Sequence, residues 1–135
     1  MAHSIQVFGD RSEVFNDLDL LVLMRLMSEE LGSNASSYPL LVSMAARWRD
    51  CCENYSPGSI DLNLELAVAG EKARQQFASL LSTIAQKLER SGDTIPAGEL
   101  NSRLCVPGVT FHDYRTTLLL AAIEKIKQLL LPVGS

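Results

Sequence analysis

The sequence is poor in the residue types from which common catalytic and metal sites are built. Its 135 residues include two histidines, three cysteines and one tryptophan, and aromatic residues make up only 6%. It contains no Cys-x-x-Cys pair, no His-Glu-x-x-His and no Glu-x-x-His, and two histidines cannot form a three-histidine site. The phosphate-binding patterns Gly-x-x-x-x-Gly-Lys and Gly-x-Gly-x-x-Gly are missing too. We therefore expect no metal, no cofactor and none of the common nucleotide-dependent activities.

A long apolar segment is also missing. The longest apolar run, residues 18–27, contains Asp19 and Arg25, and a bilayer requires about twenty apolar residues. Acidic residues precede this run and no small-residue cleavage pattern follows it, which argues against a secretory signal. Cys51 and Cys52 are adjacent and Cys105 lies far away, so a disulfide framework is not indicated. The sequence predicts a cytoplasmic protein that does not bind membranes.

Positive charge is scarce in the first half of the chain. The whole chain has a net charge of −4, from 12 basic and 16 acidic residues. Residues 1–70 hold ten acids and four arginines, whereas residues 71–135 hold six acids and eight bases. An acidic half repels phosphate backbones and attracts basic protein surfaces, so nucleic-acid binding is disfavoured. The alternative is that these acids only solvate helix faces and helix termini.

Helical periodicity dominates what is present, and it predicts an all-α single domain over residues 1–135, a bundle of four to five helices. Residues 1–12 form a lead-in with a turn at Gly9 and Asp10, and residues 92–110 form an irregular loop region. The four main helices are expected at about 13–31 with Ser12 as N-cap, 37–54, 60–68 continued by 71–90 as one broken helix, and 110–131 with Thr110 as cap. A short fifth helix is expected at 97–104.

Residues 60–68 carry an ambiguous signal. Ile60, Leu62, Leu64, Leu66 and Val68 alternate with polar residues, which is the period of a strand. A strand needs a partner, and only residues 4–8 offer one, whereas leucine, glutamate and alanine favour helix. We assign 60–68 to helix, with a short strand pair between 4–8 and 60–68 as the alternative.

Few side chains suggest catalysis. His112 and Asp113 lie near Cys105 and Tyr114 in the sequence, but a thiolate nucleophile needs a base within hydrogen-bond reach, which local sequence does not establish. His112 and Asp113 also suit the polar first turn of a helix. Trp48 falls on the apolar line of its helix and is assigned to the core. We therefore predict that the protein is not an enzyme and name no catalytic residue.

Recognition of another protein is the function that remains. The apolar first helix offers a hydrophobic centre, and surrounding acids offer a rim that steers a basic partner, as in immunity proteins and antitoxins, although the chain carries no motif of either class. The predicted partner-binding residues are Asp17, Asp19, Glu29 and Glu30 on this helix, and Arg47, Asp50 and Glu53 on the next. The alternatives are a homo-oligomer, such as a dimer, and a small enzyme or ligand-binding domain with a cleft near residues 92–114.

Overall fold

The computed structural model describes residues 2–104 and 106–131. Over these residues the chain forms six α-helices and two small antiparallel sheets, so the prediction of an all-α bundle is wrong. The helices are α1 (Asp17–Ser33), α2 (Met44–Glu53), α3 (Leu64–Ala67), α4 (Glu71–Arg90), α5 (Ala97–Leu104) and α6 (Thr116–Leu129). The strands are β1 (His3–Phe8), β2 (Arg11–Asn16), β3 (Thr94–Ile95) and β4 (Tyr114–Arg115).

The first sheet is a hairpin of β1 and β2. Phe8 pairs with Arg11 and His3 with Asn16, so Gly9 and Asp10 form the two-residue turn. Gly9 has a φ of 62°, a conformation that favours glycine in such turns. The alternative in which residues 4–8 pair with 60–68 is therefore wrong, as is the predicted start of the first helix near residue 13. The lead-in does contain the extended segment and the turn that the sequence predicts.

Helix α1 begins at Asp17 and lies at the centre of the fold. Asn16 rather than Ser12 caps it, because its side-chain oxygen accepts a hydrogen bond of 2.8 Å from the Leu18 backbone N–H. The helix contacts α2, α4, α5 and α6. Its apolar circumference is buried within the chain: Leu20, Leu21, Val22, Leu23, Met24 and Met27 are fully covered. The hydrophobic excess of this helix is therefore used in the core of the molecule.

Other predicted helix boundaries shift because side chains from distant segments bind the backbone. Helix α2 starts at Met44 rather than near residue 37, and the Leu40 N–H is bound by the Gln76 side chain of α4 at 2.9 Å. Residues 60–63 form no regular element, Asn63 has a left-handed φ of 54°, and within the predicted helix 60–68 only Leu64–Ala67 is helical. The last helix begins at Thr116 rather than near residue 110.

The segment before α6 is held against α5 instead of forming a helix. Asp113 accepts a hydrogen bond of 2.8 Å from the Ala97 N–H, and Asn101 binds both the N–H and the carbonyl of Phe111 at 2.8 Å. Predicted helices over 71–90 and 97–104 are confirmed. No helix within the described ranges combines the length and the apolar character that a membrane span requires.

Candidate functional site

The burial pattern of strand β1 is the reverse of that of an ordinary strand that packs on a core, and for this reason we call β1 inverted. Its polar residues Ser4 and Gln6 are buried, with 2% and 1% of their surface exposed, whereas Ile5 and Val7 are 62% and 52% exposed. In β2, Val14 lies opposite Ile5 and is also exposed. The hairpin therefore presents its apolar face to the exterior. Exposed apolar side chains that cluster on one face mark binding surfaces more often than scattered ones do.

The buried polar side chains of β1 hold the segment 60–62. The Gln6 amide donates to the Ile60 carbonyl at 2.8 Å and accepts from the Leu62 N–H at 2.8 Å, and the Ser4 hydroxyl accepts from the Ile60 N–H at 3.1 Å. Trp48 Nε1 donates to the Leu62 carbonyl at 3.0 Å. Side chains thus supply the hydrogen bonds that a neighbouring strand would give.

The outer edge of β1 is consequently open. In a hairpin with a two-residue turn, the residue pair next to the turn exchanges backbone hydrogen bonds, and hydrogen-bonded and non-hydrogen-bonded pairs alternate from there. His3, Ile5 and Val7 belong to non-hydrogen-bonded pairs, so their backbone N–H and C=O groups point away from β2. Outside the hairpin ladder, no hydrogen bond among the described residues involves the N–H groups of Ile5 and Val7. An open edge with apolar side chains is a template for a further strand.

A groove of about 630 Å³ runs along this edge, and we call it the β1 groove. One wall is β1 and the other is the segment from Gly58 to Leu66. Its lining residues are His3, Ile5, Val7, Gly58, Ser59, Ile60, Asp61, Asn63, Leu64, Glu65 and Leu66. Leu66 is 52% exposed and adds apolar surface to the wall opposite β1. Backbone groups, apolar side chains and carboxylates together provide the chemistry of binding.

The charged side chains of the β1 groove are mainly acidic. Asp61 accepts a hydrogen bond from the Asn63 N–H at 2.8 Å, and Glu65 accepts one from the Gly9 N–H at 2.9 Å. Neither carboxylate has a described lysine or arginine nitrogen within 4.0 Å. The negative charge of both residues is therefore available to a ligand.

Acidic surface continues from the groove toward α2. The Cys51 thiol donates a hydrogen bond of 3.9 Å to the Asp61 carbonyl, which places the end of α2 beside the groove. Burial raises the pKa of this thiol, and the negative charges of Asp50 and Asp61 raise it further. The predicted binding residues Asp50 and Glu53 are exposed on α2. Asp50 thus extends the acidic character of the groove, and Arg47 is exposed on the same helix.

The predicted acids of α1 lie elsewhere and are bound within the molecule. Asp17 is 1% exposed and its carboxylate accepts from Ser4, Tyr55 and the Gly58 N–H. Asp19 is half-buried and accepts a hydrogen bond from the Tyr114 hydroxyl. Burial raises the pKa of Asp19 despite this hydrogen bond. Burial also raises the pKa of Tyr114, and so does the hydrogen bond that Tyr114 donates to Asp19.

Glu29 and Glu30 line a second depression, between α1, α4 and α5, which we call the α1–α5 cleft. Glu30 is buried and binds Lys87 and Asn34. The hydrogen bond from Lys87 is the main cause that lowers the pKa of Glu30. Glu29 binds Arg103, which also donates to Glu99 at 2.8 Å. The four α1 acids therefore do not form one open rim, and their role in partner binding stays a prediction.

The residues weighed for catalysis are not assembled into a described site. His112 is exposed in the segment before β4, and Cys105 lies outside the described residues. Trp48 is fully buried and packs edge-on against Phe77, with ring centroids 6.1 Å apart. Within residues 2–104 and 106–131, no three His, Cys, Asp or Glu side chains are grouped to hold a metal ion.

Sequence reasoning missed the groove residues Ile5, Val7, Asp61 and Glu65. The alternation of polar and apolar residues in 3–8 was the available signal. It does not reveal which face is buried, because that depends on the partner segment 60–62.

Comparison with protein-family models, curated proteins and solved structures gave no match.

Proposed function

We propose that this protein is a protein-binding module whose β1 groove takes up an extended, basic segment of a partner protein. The observation that carries the proposal is the inverted strand, in which Ile5 and Val7 are exposed beside an open backbone edge. A peptide that adds a strand to such an edge gains affinity from main-chain hydrogen bonds. Its alternate side chains enter the neighbouring groove and supply specificity.

The charge of the groove supports a basic partner rather than an acidic one. Asp61 and Glu65 lack described cationic partners, and Asp50 lies close by on α2. Lysine or arginine side chains spaced two residues apart in an extended peptide project to the same side. They can therefore face the groove acids together. Complementary charge chiefly increases the association rate and discriminates against acidic competitors.

An inhibitor of the immunity or antitoxin class would fit this chemistry, because a bound basic segment is withheld from its own target. This extension rests on analogy between classes of protein and belongs to the proposal alone. The proposal also locates the protein in the cytoplasm, where Cys51 and Cys52 would remain reduced thiols.

Synthetic peptides test the proposal directly. We expect an acetylated Lys-Val-Lys-Val-Lys-Val peptide to bind in isothermal titration at low salt, and its glutamate counterpart Glu-Val-Glu-Val-Glu-Val to bind at least about tenfold more weakly. A Lys-Gly-Lys-Gly-Lys-Gly peptide with the same charge controls for electrostatic attraction alone. It should bind weakly because glycine offers no side chain and disfavours strands. Equal binding of all three peptides would contradict the proposal.

Two variants distinguish the contribution of the β1 backbone edge to peptide binding from the contribution of the groove acids. Val7→Pro removes an N–H that β2 does not use and so should abolish peptide binding while the hairpin persists. Asp61→Lys with Glu65→Lys should slow association by about tenfold or more at low salt. Glu89→Lys with Glu124→Lys makes the same charge change on exposed parts of α4 and α6 and should have a much smaller effect.

The Val7→Pro variant also tests whether the protein associates with itself through the β1 edge. If the protein alone has twice the native mass of the chain, and Val7→Pro restores the monomer, a second copy occupies the edge. That result would overturn the proposal of a foreign basic partner.

A further inference from the structure

The α1–α5 cleft concentrates positive charge in an otherwise acidic molecule. It has a volume of about 680 Å³ and is lined by α1, α2, the end of α4, and the segment from β3 into α5. Four cationic side chains line it, namely Arg25, Arg49, Lys87 and Arg103, together with three acids, Glu29, Glu30 and Glu99. This mixture contrasts with the acidic β1 groove.

Most of these charges neutralise one another. Lys87 binds Glu30, and Arg103 binds both Glu29 and Glu99. Arg103 reaches both oxygens of Glu29, and the Nε of Arg25 lies 3.7 Å from Oε2 of the same carboxylate. The three acids of the cleft are therefore engaged by Lys87 and Arg103.

Arg25 and Arg49 are the two cations of the cleft that form no hydrogen bond to a carboxylate of the described residues. The closest contact between Arg25 and Glu29 is 3.7 Å from Nε to Oε2, and the buried Nε of Arg25 has no hydrogen-bond partner among the described residues. Arg49 donates only to the Ala45 carbonyl, at 3.4 Å, and no described carboxylate oxygen lies within 4.0 Å of it. Leaving the buried Nε of Arg25 without a partner is unfavourable unless a ligand satisfies it, whereas Arg49 is an exposed residue at the border of the cleft.

The uncharged lining of the cleft mixes polar and apolar residues. Leu26, Ile84, Leu88, Ile95 and Pro96 contribute to the walls, and Ile84, Leu88 and Ile95 belong to the hydrophobic core. A cavity of this size, with convergent charged groups and some apolar side chains, has room for a small molecule. Guanidinium groups bind planar or tetrahedral oxyanions through paired hydrogen bonds.

We infer that the α1–α5 cleft binds a small organic anion, with Arg25 and Arg49 on its carboxylate or phosphate group and the accessible apolar residues Leu26 and Pro96 beside its hydrocarbon part. This site is separate from the β1 groove and does not depend on peptide binding there. It lies beside residues 92–114, where the sequence places a cleft in its ligand-binding alternative. Its ligand is small, anionic and amphiphilic.

Ligands of matched shape test this inference. Benzoate and phenyl phosphate present the two anionic groups on one ring, and benzamidine presents a cation on the same ring. We expect at least one of the two anions to bind in isothermal titration at low salt, and benzamidine to bind at least about tenfold more weakly. Preference for benzoate assigns a carboxylate ligand, and preference for phenyl phosphate assigns a phosphate ligand.

Variants connect the binding to the two arginines. Arg25→Gln and Arg49→Gln should each weaken binding of the preferred anion by about tenfold to a hundredfold, because each removes charge-assisted hydrogen bonds. Arg74→Gln makes the same charge change on α4 outside the cleft and should leave affinity within about twofold. Glu99→Gln frees Arg103 from one partner and should strengthen binding.

Thermal unfolding of each variant verifies that it is folded, and Glu29 keeps its Arg103 partner when Arg25 is replaced. Failure of both anions to bind the wild-type protein would overturn the inference. So would equal weakening by Arg74→Gln, or inorganic phosphate that binds as tightly as phenyl phosphate, because Leu26 and Pro96 would then contribute nothing.

Discussion

Tyr55 donates a hydrogen bond of 2.8 Å to the buried carboxylate of Asp17, 38 positions earlier in the chain. The same carboxylate accepts from Ser4 at 2.5 Å and from the Gly58 N–H at 2.8 Å. Asp17 therefore ties together the hairpin, the start of α1 and the loop that begins the second wall of the β1 groove. Its negative charge also lies at a helix N-terminus, where the helix dipole stabilises it.

We expect Asp17→Ala to destabilise the protein by about 2–4 kcal/mol, because three buried or half-buried donors lose their acceptor. Asp17→Asn keeps one acceptor oxygen and should cost about 1–3 kcal/mol. Urea unfolding monitored by circular dichroism measures both values. Asp10→Asn, at the exposed hairpin turn, is the control and should change stability by less than about 0.5 kcal/mol. Equal stabilities of the three variants would contradict the structural role of Asp17.

Alkaline pH should weaken the fold through Tyr55. Burial, followed by the hydrogen bond to Asp17, raises the pKa of Tyr55 from 10.0 to about 12. The folded state holds this proton more tightly than the unfolded state. The stabilisation is therefore complete below pH 10 and is lost as the pH rises toward 12. Unfolding midpoints across this range should fall less steeply in Tyr55→Phe than in the wild type. Parallel pH profiles would rule out this contribution.

Acidic pH should weaken the contact between α1 and α4. Hydrogen bonds from Lys87 and Asn34 lower the pKa of the buried Glu30. The resulting stabilisation is present above the unfolded pKa of about 4.5 and is lost as the pH falls through the lower folded value. Lys87→Met should cost about 1–2 kcal/mol at neutral pH and flatten the acid limb of the stability profile. Lys72→Met, an exposed substitution near the start of α4, should leave the profile unchanged.

Trp48 should act as a reporter of the segment behind the β1 groove. It is fully buried, donates to the Leu62 carbonyl at 3.0 Å and packs against Phe77. Trp48→Phe should cost about 1–3 kcal/mol, because the Leu62 carbonyl loses its indole donor and the core loses volume. The wild-type fluorescence should be blue-shifted and resistant to soluble quenchers. Emission typical of a water-exposed indole in the folded protein would contradict this placement.

The two edges of β1 should differ in their tolerance of proline. Val7→Pro removes an outward N–H and should cost less than about 1.5 kcal/mol, whereas Gln6→Pro removes a ladder hydrogen bond and both side-chain bonds to segment 60–62. We expect Gln6→Pro to cost at least about 3 kcal/mol. Hydrogen exchange should show protection of the Gln6 amide and rapid exchange at Val7. Strong protection at Val7 would show that the edge is covered.

Local sequence patterns predict the elements that rely on local periodicity. The apolar stripe of residues 71–90 predicts α4, and its members Phe77, Leu80, Leu81, Ile84 and Leu88 are buried as expected. The same approach fails at β1 and at 60–68, because Ser4 and Gln6 become interior residues only through hydrogen bonds to residues 56 and 54 positions away. No local propensity encodes those bonds.

For the candidate site, too, the sequence predicts the local features, and contacts between distant residues decide the rest. Acidic residues are visible in the sequence, but whether each is available to a partner depends on its spatial neighbours. Glu29 and Glu30 are bound by Arg103 and Lys87, which come from later helices, while Asp61 and Glu65 have no described cationic partner. A count of acids therefore predicts the preferred charge of a partner and not the place where it binds.

The sequence by itself determined the helical stripes of α4 and α5, the turn at Gly9 and Asp10 and the acidic balance of the first half, because each depends on neighbouring residues or on composition. Only the tertiary structure decided that β1 exposes Ile5 and Val7, that Asp17 is buried, and that Arg25 and Arg49 form no hydrogen bond to a carboxylate of the described residues. The physical reason is that burial and charge pairing are properties of contacts between distant segments. Those contacts exist only once the chain has folded.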